Sequence, residues 1–272
     1  EKIGGWSRIS VATFEGVCRS LWNWVTLGGL NLVGLGTNLK FYIESGGAYT
    51  DITPLRATVT LTNPFTTQTG ANANVVTVTD ANGGYIDGDF VTFSGSGDVG
   101  GIAASVLNAE HRITYTAGNT YTITLSQNAS SVATGGGTVT AAYQINVGPT
   151  LSVPLTGWGS GSWSAGSWGF GGSSSYPLRL WSQANFGEDL VFAQRGGAVY
   201  YWDASSGLTT RAVLLSSLNP AGAVPSTTNR ILVSDVSRFV FCLGANPYLG
   251  ATFDPMLVRW SDQGDATNWV PS

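Results

Sequence analysis

Apolar and polar positions along this chain alternate in short runs, and Gly, Asn and Pro cut the runs into strand lengths. "SLWNWVTL" (20–27), "NLVGLGTNLKFYIES" (31–45) and "AYTDITPL" (48–55) read as paired strands. Gly46-Gly47 between the last two predicts a tight hairpin, because glycine accepts the positive φ that such a turn requires. From residue 57 the pattern tightens to Thr and Val alternating between Asn and Gly turns. Runs at 74–80, 89–95, 111–117, 120–126 and 137–145 predict five strands, enough for a small sandwich or barrel. Longer apolar runs return after Gly148-Pro149, at 177–207 and 229–272.

The outer segments carry a weak internal repeat. "NLVGLGTNLKFYIESGGAYTDITPL", "DLVFAQRGGAVYYWDASSGLTTRAV" and "RFVFCLGANPY" followed by "MLVRWSDQGDATNWVPS" each read as an apolar strand, a Gly or Asn turn, a second strand with an aromatic (Tyr42, Trp202, Trp260) and a polar turn. Unevenly spaced antiparallel units of this kind are blade-like. The expected fold is therefore all-β. Residues 1–56 and 147–272 form a partial β-propeller-like body, and residues 57–146 form an inserted small β-sandwich or barrel module. Three blade-like units are too few to close a ring, and no methionine precedes Glu1, as expected of a portion of a longer chain.

Composition sharpens this picture. Only 10% of the 272 residues are charged, against about 25% in typical domains, so Ser, Thr, Asn and Gly supply the polarity. The balance of 12 basic and 16 acidic residues argues against an electrostatic grip on nucleic acid. No apolar run reaches membrane-span length. All ten tryptophans lie outside 57–146, three of them in "GWGSGSWSAGSWGFGG" (157–172). Trp158, Trp163 and Trp168 recur every fifth residue, which matches neither a strand nor a helix. With Phe170 they are expected to anchor a Gly/Ser loop returning from the module, onto the body itself or onto a neighbouring subunit; stacking on a ligand is the remaining alternative.

Candidate chemistry is sparse. His111 is the single histidine, so any Ser-His or Cys-His relay must use it; its place at a strand entrance predicts a satisfied surface histidine. Cys18 and Cys242 lie in apolar strand-like stretches and are expected to be buried free thiols. The close carboxylate pairs, Asp87 with Asp89, Glu188 with Asp189 and Asp262 with Asp265, all fall in Gly-containing turns, where local backbone bonds favour acids. The loop from Asp80 to Asp89 lacks the spacing of a helical calcium loop, and the glycine-rich 94–101 lacks the Lys-Ser/Thr of a phosphate cradle. No catalytic, cofactor or metal site is predicted.

"EKIGGWSRIS", "GVCRSLWNW", "NFGEDLVFAQRGGAVYYWD" and "VRWSDQGDATNWVPS" together resemble the nozzle, or tail tubular protein B-like, component of short-tailed bacteriophages. The stretch from "VVTVTDANGGYIDGDFVTFSG" to "NTYTITLS" also resembles a small β-module of phage structural proteins. The resemblance implies a virion protein, assembled in the host cytoplasm into a ring of six identical subunits. In that ring it would lie below the portal and adaptor, touch other tail proteins, and form the end of a channel that DNA passes without specific binding. Two other classes stay open from the residues alone. One is a glycan-binding adhesin using exposed Trp and Tyr, and the other a propeller glycosidase using one carboxylate pair.

Overall fold

The computed structural model describes residues 10–81, 84–146 and 180–271. It divides the chain into two units, Glu1–Thr53 with Val147–Ser272, and Pro54–Asn146.

The first sheet is an antiparallel meander of β1 (Cys18–Val25), β2 (Asn31–Thr37), β3 (Phe41–Ser45) and β4 (Ala48–Asp51). Ser45 pairs with Ala48, so Gly46 and Gly47 alone make the β3–β4 turn, both at positive φ (60° and 89°). A side chain at either position would be strained, which is why two glycines stand here.

The second unit holds β5 (Leu55–Thr62), β6 (Phe65–Thr66), β7 (Val75–Thr79), β8 (Phe90–Ser94), β9 (Glu110–Ala117), β10 (Thr120–Thr124), β11 (Thr134–Gly135) and β12 (Thr138–Gln144). They form one eight-stranded sheet, in the order β11-β6-β7-β10-β9-β8-β12-β5. β9 is its corner: Glu110, His111 and Arg112 pair with β8, while the residues from Ile113 onward pair with β10. Both halves of the sheet thereby line a single core, with Phe65, Val78, Phe93, Ile123, Val139 and Tyr143 among its members. β11 and β5 are free edges, so the sheet stays open and the closed barrel among the sequence expectations does not form. The unit begins at Pro54 rather than residue 57, because Leu55 already pairs with Gln144 of β12.

The ends of this unit lie side by side, the Ile145 amide donating to the Pro54 carbonyl at 3.0 Å. With its own core and adjoining ends, residues 54–146 expressed alone are expected to fold and unfold in one cooperative transition by circular dichroism. A non-cooperative melt would show that its core depends on the rest of the chain.

The first unit resumes with β13 (Trp181–Phe186), β14 (Asp189–Gln194), β15 (Val199–Trp202) and β16 (Val213–Leu214), a second four-stranded meander. A third sheet of three strands follows, with β17 (Thr228–Val233), β18 (Val240–Ala245) and β19 (Asp254–Trp260). The second sheet lies between the other two and is buried on both faces. Towards the first sheet, Phe192 stacks on Phe41 at 4.1 Å between ring centres, with Trp181 edge-on to Phe41. Towards the third, Ala184, Phe186, Val191 and Val199 share a core with Ile231, Val240 and Cys242. The first sheet approaches closely because β2 carries Gly34 and Gly36 on its inner face. A Cβ at Gly36 would lie 2.4 Å from the Trp181 ring. All three sheets are antiparallel, connect their strands in sequence order, and none closes on itself.

Candidate functional site

The loop anchors expected from sequence, Trp158, Trp163, Trp168 and Phe170, lie outside the described residues. The other candidates are placed. His111 is half-buried on β9, where its Nε2 meets the Leu107 carbonyl oxygen at 3.2 Å. Burial lowers its pKa, with the Leu107 and Val106 backbone bonds opposing. It is tied to backbone at the place where a relay would need a nucleophile or carboxylate.

The carboxylate pairs hold turns. Asp89 is buried, receives Arg56 Nη2 at 3.2 Å, Asn146 Nδ2 at 2.7 Å and the Ile86 amide at 3.0 Å, and burial raises its pKa against those bonds. Its neighbour Asp87 is exposed. Glu188 accepts the Leu27 amide, and Asp189 accepts the Tyr201 hydroxyl and the Ala204 amide. Burial, then the Asp189 hydrogen bond, raises the Tyr201 pKa. Asp262 accepts Asn268 Nδ2, and Asp265 accepts the amide and hydroxyl of Thr267, which hold its pKa low. Asp89, Glu188, Asp189, Asp262 and Asp265 are thus each engaged by hydrogen bonds. Among the described residues no group of three or more His, Cys, Asp or Glu is placed to hold a metal ion.

Two polar networks escaped the sequence reading. In the second unit, Tyr121 and Tyr143 share a hydrogen bond of 2.8 Å, and Tyr143 donates to buried Asp80 at 2.5 Å. Burial drives both tyrosine pKa values well up. Tyr121 and Tyr143 lie on β10 and β12, both expected as strands, but the register that brings them to Asp80 is long-range. In the first unit Lys40 is buried with its ammonium 3.3 Å from Asp51 and 3.9 Å from Glu15, and Arg211 reaches the same Asp51 oxygen at 3.1 Å. Burial works to raise the Asp51 pKa, yet Arg211, Lys40 and the Thr53 bonds outweigh it, leaving the carboxyl below its usual value. This second network is a packing device, in which the cations Lys40 and Arg211 and the carboxylates Asp51 and Glu15 offset one another.

The cysteines divide. Cys242 is fully buried in the core between the second and third sheets, and burial pushes its thiol up to about 12. Cys18 is exposed, which corrects the expectation of two buried thiols: it begins β1, an edge strand whose first residue has no sheet above it. A thiol-specific reagent is expected to label one cysteine in the native protein within minutes, and the second only in denaturant. Equal labelling of both in the native state would contradict this core.

The remaining features are concave or apolar surface on the third sheet. A groove of about 310 Å³ lies at β19, lined by Tyr248, Val258, Trp260, Trp269, Val270 and Pro271 among others. Arg259 also lines it, but its guanidinium is spent on the carbonyl oxygens of Asn246, Ala223 and Trp269. Met256, Val258 and Trp260 are exposed along the strand. At the other end of the unit Leu21, Val25 and Leu27 are exposed on and beside β1. Asp262 lines the β19 groove as well, bonded to Asn268, and the rest of its lining is mostly apolar contact area. No helix among the described residues is long and apolar enough to cross a membrane.

Comparison with protein-family models and with curated proteins finds no match. Among solved structures the chain is similar to a phage phi92 endosialidase, at 13% identity and a TM-score of 0.28, over 93% of this chain. The chain spans about 37% of the length of that protein. This likeness is too loose to establish a shared fold.

Proposed function

We propose that this chain is a structural subunit of a bacteriophage tail, in the nozzle of a short-tailed phage. There it assembles with identical copies into a ring, contacts the portal, adaptor and other tail proteins, and forms part of the channel and platform through which DNA leaves. In this reading it works in the virion without catalysis, cofactor or metal. The observation that carries it is the combination of the phrases at 1–10, 16–24, 185–203 and 258–272, all of which belong to the first unit.

Physical features support the reading. Three successive antiparallel meanders are what blades of a propeller look like. Exposed apolar rows at both ends of the unit suit lasting contacts, and a net charge of −4 lets DNA slide past rather than stick. The test is direct imaging of the purified protein as single particles, with rings around a central channel as the expected result. DNA retention at low salt, or monomers that bind a glycan array, would sink the proposal, the second in favour of an adhesin.

A further inference from the structure

In the first unit each sheet-to-sheet contact is made by a face, and two faces are left over. On the first sheet Trp22 and Trp24 point at the second, bonding Asn185 and the Glu188 carbonyl. Strand alternation then turns Leu21 the other way, on the face it shares with Leu35 and Tyr42. Phe14 covers part of that face, against Tyr42 and Tyr49. Leu21 nevertheless remains 63% exposed and Val25 59%. On the third sheet Ile231, Val240 and Cys242 point at the second, so Leu232, Phe241 and Trp260, which pair in one row across three strands, point away. Trp260 is 58% exposed.

These faces cap opposite ends of one three-sheet stack, and their charges are opposite. The middle row of the first sheet's open face, Asn23, Val33 and Glu44, carries an acid, while the matching row of the third, Arg230, Leu243 and Val258, carries a base. Arg230 is exposed, with no ion pair to a described residue. We infer that the open face of the third sheet docks on the open face of the first sheet in a second copy of this chain. The contact continues the face-to-face packing already made twice within the unit, and it sets Arg230 of one copy near Glu44 of the next. One repeated contact covers both apolar faces. Because it joins two different surfaces it is head-to-tail, and it closes to a ring when the rotation per copy divides a full turn. The inference rests on the assembly reading above for its choice of partner.

The test is sedimentation of the full chain over a range of concentrations, with Trp260→Asp and Leu21→Asp. Both positions are more than half exposed, so each variant should melt like the parent. Wild-type protein should form species of several copies, and each single variant should weaken association by about thirtyfold or more, as loss of a central contact does. A mixture of the two variants should form a dimer and nothing larger, since only one intact pair of faces remains. Arg230→Glu should weaken assembly, and Glu44→Arg in the same chain should restore part of it. A monomeric wild type, variants that assemble like the parent, or a mixture that forms no dimer would each overturn the inference. Rings that persist in the variants would reject these faces while leaving the nozzle reading standing. Head-to-tail oligomers without a central channel would reject that reading and keep these faces.

Discussion

Replacing Phe192 by alanine is expected to destabilise the three-sheet unit by about 3–5 kcal/mol, a large part of the stability of an ordinary domain. The ring is fully buried on the middle sheet, stacked on Phe41 at 4.1 Å and within 6 Å of the rings of Trp181 and Tyr200. Its removal leaves a void between two sheets whose backbones are held by their own ladders and cannot collapse to fill it. All ten tryptophans lie outside 57–146, so urea unfolding followed by tryptophan fluorescence reads this unit without the other. A loss under about 1 kcal/mol would mean that the first and second sheets do not pack through these rings. Circular dichroism should show the transition of residues 54–146 unchanged, because Phe192 is not part of that core.

The second large effect concerns charge. Asp51→Asn keeps an acceptor for the Thr53 amide but leaves buried Lys40 and half-buried Arg211 without their shared anion. Breaking a fully buried ion pair costs about 3–5 kcal/mol, and the partial exposure of Asp51 and Arg211 reduces this to about 2–4 kcal/mol at neutral pH. Because the folded pKa of Asp51 is depressed, its contribution is fully present above the unfolded value near 3.8 and is lost as pH falls through the lower folded value. The stability gap between parent and variant should therefore be widest near pH 7 and narrow below about pH 4. A gap that stayed constant down to pH 2, followed by urea titration, would show that the carboxylate charge is not what matters.

Much of the fold was legible because its signals are local. Val-Thr alternation and bounding turns marked β7, β8, β9, β10 and β12 within a few residues, and Gly46-Gly47 announced their hairpin through the positive φ that only glycine adopts freely. β6 and β11, two residues each, are shorter than any periodicity, and exist because Phe65 and Thr66 meet Gly135 and Thr134 across the sheet. Cys18 was misjudged for the same reason: apolar neighbours raise the chance of burial, but an edge position depends on which strands arrive later. The acids Asp262 and Asp265 accept hydrogen bonds within their own turn, as local turn chemistry predicts, whereas Glu188 accepts the Leu27 amide and Asp189 the Ala204 amide, partners outside the turn that the fold brings near.

The sequence by itself determined an all-β chain and the positions of most strands, since alternation and turn chemistry are properties of neighbouring residues. Only the tertiary structure decided which sheet lies between the others, which faces remain open, and that Arg211 joins Lys40 and Asp51. The β3–β4 hairpin already brings Lys40 near Asp51, but Asp51 and Arg211 are 160 residues apart, and no local pattern couples positions so separated. Their meeting follows from sheets stacking to bury apolar faces, an energy that belongs to the whole surface removed from water rather than to any segment of the chain.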